Sequence, residues 1–426
     1  MQLRPVAKKK NIKMALASAT TALLSGLAPA PAHAEPKWSG SFSNLYYSET
    51  DRVRAIEPVI TLDGEYSGDR HWTNKVVLDA LTGPSPNGAV ASRNPQTFTS
   101  PSGHSTYMVN PGEAPLDPEF KDTRYAVASE WSQPFAENYE FSAGANGSME
   151  YDFTSLSANG SLSRYFDKKN TKLSLGLNFE ADTVKPVGGV PQALSTLSGK
   201  VVSGSTETKN LLDVLVGVTQ VMNRRWTLQL NYNLGTSSGY MNDPYKIVSE
   251  VVAPGGGTAG DPTGVYYFEK RPDSRLRNAV FADSRVHLDQ WGVLGTSYRY
   301  YFDNWGITSH TFILDYHFNL NHGWYLEPSA RYYIQHKADF YRYFVVQGAA
   351  VPQTMSADYR LGDMTATTFG LEAGRKLADW GREISFRAEL YTQNGDRHPG
   401  EAYGNLLTQD LSPKVTAVIG TLIYKF

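Results

Sequence analysis

After its first 34 residues the chain alternates apolar and polar positions in block after block. Leu173, Leu175, Leu177 and Phe179 alternate with Ser174, Gly176, Asn178 and Glu180. The same period runs through Trp226–Leu234, through Phe312, Leu314, Tyr316 and Phe318, and through Ile384, Phe386, Ala388 and Leu390. A period of two marks strands with one apolar face. The blocks run about 9–13 residues, longer than the ~5–6 of soluble sheets and suited to a tilted bilayer crossing. No stretch of ~18 apolar residues after residue 34 offers a membrane helix.

Sixteen strands are expected, at 39–49, 52–64, 71–82, 122–134, 138–151, 154–166, 170–182, 206–221, 225–237, 273–287, 290–302, 306–320, 324–340, 357–375, 381–394 and 411–426. Merging the pairs at Thr50-Asp51 and at Asp289-Gln290 would give fourteen. Short turns (Ala136–Asn138, Asp167–Asn170, Asn223–Arg225, Asn321–Gly323, Ala378–Trp380) alternate with long polar loops near 83–121, 183–205, 238–272, 341–356 and 395–410. Trp72, Trp131, Tyr139, Trp226, Tyr298, Tyr300, Trp324 and Trp380 are placed at strand ends, as in aromatic girdles. The last strand closes on Phe426, with Tyr424 and Leu422 on its face, a terminal aromatic of the kind read by barrel assembly machinery. The expected fold is all-β: a transmembrane, antiparallel, up-and-down β-barrel with both chain ends on the short-turn side.

Composition narrows the class. Of 426 residues 12% are aromatic, 26 of them Tyr, and none is Cys, which removes disulfides, thiolate metal sites and a lipid-modified N-terminus. Arg4, Lys8, Lys9, Lys10 and Lys13 precede a short apolar stretch and Ala32-His33-Ala34, the layout of a secretory signal peptide over 1–34, with the barrel domain at 35–426. Removing that leader leaves 35 Lys+Arg against 42 Asp+Glu, a net −7 that argues against nucleic acid. No separate plug domain is expected ahead of the first strand. If the lumen is closed, loops 83–121 and 238–272 are the expected plug.

Strand parity sorts charge toward the lumen. Glu57, Asp63, Asp79, Glu130, Glu140, Glu150, Glu180, Asp213, Asp315, Glu327, Glu372 and Glu389 face Lys75, Arg124, Lys172, Arg285, Arg299, Arg331 and Arg387. Such charges either select solutes or pair across the wall and stiffen it. Glu57, Asp79, Arg299, Asp315, His317, Arg331, Arg387 and Glu389 are the candidate selectivity residues. Asp315 and His317 lie two apart on one face, an arrangement that barrel proteases use to activate water, but no second acidic pair accompanies them. His310, two before Phe312, is expected to face lipid. The remaining His residues lack metal-ligand spacing. The Gly-rich run at 254–260 lacks the Gly-Lys-Ser/Thr and strand–helix context of a phosphate loop and reads as an external loop. Asp79–Gly83 reads as a turn entering the first long loop, the alternative being a loop folded inward over the mouth. No catalytic residue, metal or cofactor is expected.

Several stretches resemble a bacterial family filed under domain of unknown function 3570. They are Tyr46–Val53 with Glu57-Pro58, Asp79–Ala89, Tyr298–Tyr301 with Asp303, Trp305–Ile307 and Ser309–Thr311, Arg331–Tyr333 with Gln335, and Asp358–Leu361. The resemblance implies a Gram-negative outer-membrane barrel of no assigned activity. It also implies an extracytoplasmic redox setting, since similar proteins are encoded beside a small lipoprotein, a thioredoxin-like protein and a flavin transferase. The expected function is a porin-like channel for small solutes with a modest cation preference. The alternatives are a loop-plugged structural or interaction barrel and, behind it, a barrel-wall hydrolase. The expected partners are outer-membrane lipid, the assembly machinery and a small lipoprotein or periplasmic redox protein.

Overall fold

The computed structural model describes residues 36–99, 106–118, 120–289, 292–377 and 381–426. The leader at 1–34, Gln290, and the turn at 378–380 with Trp380 lie outside these. Among the described residues sixteen strands close into one barrel: β1 Lys37–Glu49, β2 Arg54–Tyr66, β3 Arg70–Thr82, β4 Lys121–Ala136, β5 Tyr139–Met149, β6 Phe153–Phe166, β7 Thr171–Val184, β8 Glu207–Asn223, β9 Trp226–Gly239, β10 Ser274–His287, β11 Val293–Asp303, β12 Thr308–Asn319, β13 Trp324–His336, β14 Met364–Lys376, β15 Glu383–Gly395 and β16 Lys414–Lys425. Each strand pairs antiparallel with its chain neighbour, and β16 returns to β1 from Ser41↔Lys425 to Glu49↔Ala417. Closure leaves the wall no free sheet edge, so every strand finds its backbone partners inside the sheet.

The outer face is a continuous apolar band. Leu156 is 63% exposed, Phe369 62% and Leu314 51%. Side chains of this kind are excluded from water at such density unless lipid covers them. At the short-turn end Trp38 packs edge-on to Tyr66 and Trp72, with ring centroids 6.4 and 6.2 Å apart, and Tyr66 meets Trp131 at 5.4 Å. Tyr298 and Tyr300 are a correction to the expected girdle. Both stand in the body of β11 on the outer face, Tyr298 against Phe312 at 4.8 Å and Tyr300 against His310 at 5.0 Å. Alternation sets the face of a residue and says little about its height along the strand.

Phe426 sits at the seam where the barrel closes. Its backbone exchanges hydrogen bonds with Gly40 (2.8 and 2.9 Å), and its ring stacks on Tyr424 at 5.8 Å. A Cβ added at Gly40 would stand 2.8 Å from the Phe426 ring, so glycine there makes room for it. Deleting Phe426 is therefore expected to lower the yield of heat-modifiable, membrane-inserted barrel severalfold. Undiminished yield on a gel-shift assay would count against the seam.

The buried core lies in the loops at the other end, above the barrel. Residues 337–340 and 357–363, expected to continue β13 and β14, leave the wall instead. There Ala338, Phe340, Tyr341, Tyr343 and Leu361 pack on Trp305 and Ile307. Their alternation reflects packing within this layer. Ile247–Val251 pairs antiparallel with Pro262–Phe268 and parallel with Val345–Val346, making a three-stranded sheet. Val248, Val251, Met355 and Leu406 are fully buried around it. The Gly-rich run at 254–260 connects the two longer strands of that sheet.

Candidate functional site

Two layers of charge occupy this molecule. The first lines the wall. Arg124 on β4 reaches Asp79 on β3 at 3.5 Å and Glu57 on β2 at 3.9 Å. Lys172 meets Glu140 at 3.3 Å, and Arg277 meets Asp213 at 3.2 Å. Arg285 takes Asp315 at 2.6 Å and Asp283 at 3.1 Å. Arg387 takes Glu372 at 2.6 Å and lies 3.9 Å from Glu327. All but Arg285 with Asp283, which share β10, are cross-strand pairs in reach of water, each a modest contributor to stability. Arg277, Asp283, Asp182 and Lys209 were absent from the expected lumen set, although the first two share the parity of Arg285.

Asp315 and His317 do not act on each other. Asp315 is taken by Arg285, whereas His317 Nδ1 lies 2.9 Å from Glu327 and its ring packs on Tyr325. His310 is on the outer face, with Nδ1 2.8 Å from the Tyr298 hydroxyl. Among the described residues no group of three His, Asp or Glu is placed to hold a metal ion.

Four of the candidate selectivity residues meet. Asp315, Arg331, Arg387 and Glu389 line one lumen cavity of about 850 Å³, with Tyr333, Tyr391 and Arg360. Arg299 joins Arg331 in a neighbouring cavity of about 380 Å³. Glu57 and Asp79 line neither and stand with Arg124 on β2–β4. His317 lies toward the short-turn end.

The second layer is a cap made by the five long loops. Of Asp79–Gly83, expected as a turn, Asp79–Thr82 end strand β3, and the loop that follows is built into the cap. Asn87 accepts from the Ile247 amide, Val90 N–H donates to Ser249, and Lys246 Nζ donates to the Pro86 carbonyl. Arg93 reaches Asn405, and the Gln409 amide reaches the Ala91 carbonyl, which ties in the last loop. The described parts of loops 83–121 and 238–272 thus both enter the cap, together with three other loops.

A charge network locks the cap. Arg271 lies 2.6 Å from Glu269 and 3.0 Å from Asp358, and Arg360 lies 2.6 Å from Asp358 and 3.2 Å from Asp243. Glu269 also accepts from Ser356 at 2.5 Å. Burial pushes the Asp358 carboxyl up, but Arg360, Lys246 and Arg271 outweigh it and hold the group well below the usual carboxylate range. Burial lowers Lys246.

Between the cap and the wall lies a cavity of about 770 Å³, lined by Tyr107, Tyr151, Tyr240, Tyr245, Glu150 and Asp152 among others. Arg360 lines this cavity and the lumen cavity beneath it. Glu150, expected on a strand, sits in the three-residue turn after β5. Burial, with Asp122 and Asp152 beside it, pushes its carboxyl from 4.5 up to about 7, against Arg124. An acid raised on folding favours the folded form when protonated, so its contribution is complete below about pH 4.5 and is lost as pH rises through about 7. Protease cleavage of the loops is expected to quicken between pH 5 and 8. Glu150→Gln should flatten that dependence, and an unchanged profile in the variant would refute the assignment.

A closed sixteen-stranded antiparallel barrel with an apolar outer belt, a charged lumen and a folded loop cap defines a transmembrane barrel of the outer-membrane type. The chain belongs to the family described as "Protein of unknown function (DUF3570)", which matches residues 13–426. None of the curated proteins matches the sequence. Among solved structures, it is similar to the ferric enterobactin receptor of Pseudomonas aeruginosa, at 12% identity and a TM-score of 0.43, over 92% of this chain and 60% of that one. A bacterial polysaccharide outer membrane secretin aligns at 9% identity and a TM-score of 0.44, over 93% and 99% of the two chains. OccK2 of Pseudomonas aeruginosa, solved with glucuronate, aligns at 9% and 0.39, over 92% and 98%. The chain spans a little over half the length of the first siderophore receptors it matches.

Proposed function

We propose that the chain is an outer-membrane, porin-like channel for small solutes, exported by its leader, whose mouth is restricted by the folded loop cap. The observation that carries this reading is the meeting at Arg360 of the cavity beneath the cap and the charged lumen cavity. A barrel of sixteen strands is wide enough for a water path unless it is filled. The lumen charge is uneven. Acids including Asp63, Glu130, Glu180 and Asp182 outnumber bases on β2–β7, whereas on β10–β15 inward arginines and carboxylates are balanced. A modest cation preference follows from the net acid, weakened by the pairing.

Planar-bilayer recording tests this. A small conductance is expected, with a reversal potential across a KCl gradient favouring K⁺. The preference should shrink in Asp79→Asn with Glu57→Gln and fade at 1 M salt, where the Debye length is about 3 Å. Anion preference would refute the charge argument. The packed apolar core of the cap favours a second reading, a loop-plugged barrel serving a lipoprotein or periplasmic redox partner, and zero conductance would select it. Neither reading assigns a catalytic residue or a cofactor.

A further inference from the structure

The inward arginines of β10–β15 fall into two kinds. Arg275, Arg277, Arg285 and Arg387 each have a carboxylate partner. Arg299 on β11 and Arg331 on β13 have none within 4 Å among the described residues. Their guanidinium groups instead lie over tyrosine rings of the same strands, Arg299 5.9 Å from the Tyr301 centroid and Arg331 5.6 Å from that of Tyr333. Both side chains are exposed to the lumen.

These two arginines share the cavity of about 380 Å³. Arg299 pairs with Thr311 on the intervening strand and Arg331 with Ile313, two residues further along it. They are two strands apart, roughly 9–10 Å across the sheet, a span their long side chains can close from both sides. No carboxylate lines the cavity. Asn231, Asn233, Ser297 and Thr311 supply neutral donors, whereas Phe281, Leu215 and Ile313 supply apolar surface. Arg331 also borders the larger lumen cavity that holds Asp315 and Glu389, without an ion pair to either. Unneutralised guanidinium groups with neutral donors around them form an anion site, and planar forks match carboxylates. The apolar lining adds room for a hydrocarbon body beside the charge.

We infer that Arg299 and Arg331 form a binding site in the lumen wall for a small organic carboxylate with an apolar body. This deepens the channel reading and rests on it for its role: the site would hold such a solute against the two unpaired arginines of the water path. Selectivity for small inorganic cations along the opposite, acidic wall is compatible with it, because the two charges occupy different walls.

The test separates binding from conduction. Benzoate binding to the full refolded barrel would be followed by titration calorimetry at low salt, with benzylammonium and inorganic phosphate as comparison probes. Saturable benzoate binding is expected, at least tenfold weaker in Arg299→Gln and in Arg331→Gln and absent in the double variant. Lys172→Gln, which also removes a lumen cation, should bind as wild type does. Heat-modifiability checks that each variant is folded, which is expected because both side chains face water. Absent benzoate binding, equal binding in the arginine variants, or equal binding of phosphate or benzylammonium would overturn the site. Bilayer recording then sorts the two proposals. Conductance without benzoate binding sinks the site alone, and binding without conductance keeps the site and sinks the channel.

Discussion

Replacing Arg271 with Met is expected to release the loop cap while leaving the barrel closed. Arg271 is the shared partner of Glu269 and Asp358, whose side chains are each only 1% exposed. Removing it takes a cation from both carboxylates and leaves Glu269 without one in a site that water hardly reaches. Breaking a buried pair in this way costs about 3–5 kcal/mol, because the surviving charge keeps its desolvation penalty and loses its compensation. Asp358 retains Arg360, so the larger share of the cost falls on Glu269. The cap touches the wall through Gln335 on β13, which donates to the Arg360 and Gly362 carbonyls, and through Tyr301 on β11, but the wall's ladder is complete without it. Limited proteolysis should therefore cut 240–273 and 337–363 rapidly in Arg271→Met while the gel shift of the barrel persists. Bilayer conductance should rise if the cap restricts the mouth. Protease resistance equal to wild type would show that the network does not hold the cap, and loss of the gel shift would show that cap and barrel fold as one unit.

Leu314→Arg is expected to cost roughly 2–4 kcal/mol of barrel stability, whereas Asn231→Arg should be nearly neutral. Leu314 lies in the middle of β12 on the outer face and is 51% exposed. In a bilayer that exposure is to hydrocarbon, where a guanidinium has no partner. Asn231 lines the lumen cavity, where an arginine finds water. Chemical unfolding of lipid-inserted protein measures both, and the reverse ranking would mean that the faces are inverted.

The wall was legible because a strand carries its instructions locally. A period of two declares which residues share a face, and a length near eleven declares a bilayer crossing. Sixteen strands, their order and the closing role of Phe426 were all readable that way, and so were Arg124 with Asp79 and Lys172 with Glu140 as wall residues. The cap was legible only as length and polarity. Its polar groups come from three short segments, 243–246, 269–271 and 356–360, each local in sequence, and only the fold brings the three together. Residues 337–340 and 357–363 misled because an alternating segment can pack in a loop layer as well as in a wall.

The same division explains the candidate site. Sequence alone determined that Arg299 and Arg331 face inward, since parity requires nothing beyond the neighbouring residues. Only the tertiary structure decided that Arg285 and Arg387 are neutralised while Arg299 and Arg331 are not. A salt bridge depends on register between strands, and register is set by turns, by closure and by the whole sheet. Whether a charge in a barrel lumen is paired or free is therefore a property of the closed wall, and the cap above it is a property of five loops far apart in sequence that the closed wall places side by side.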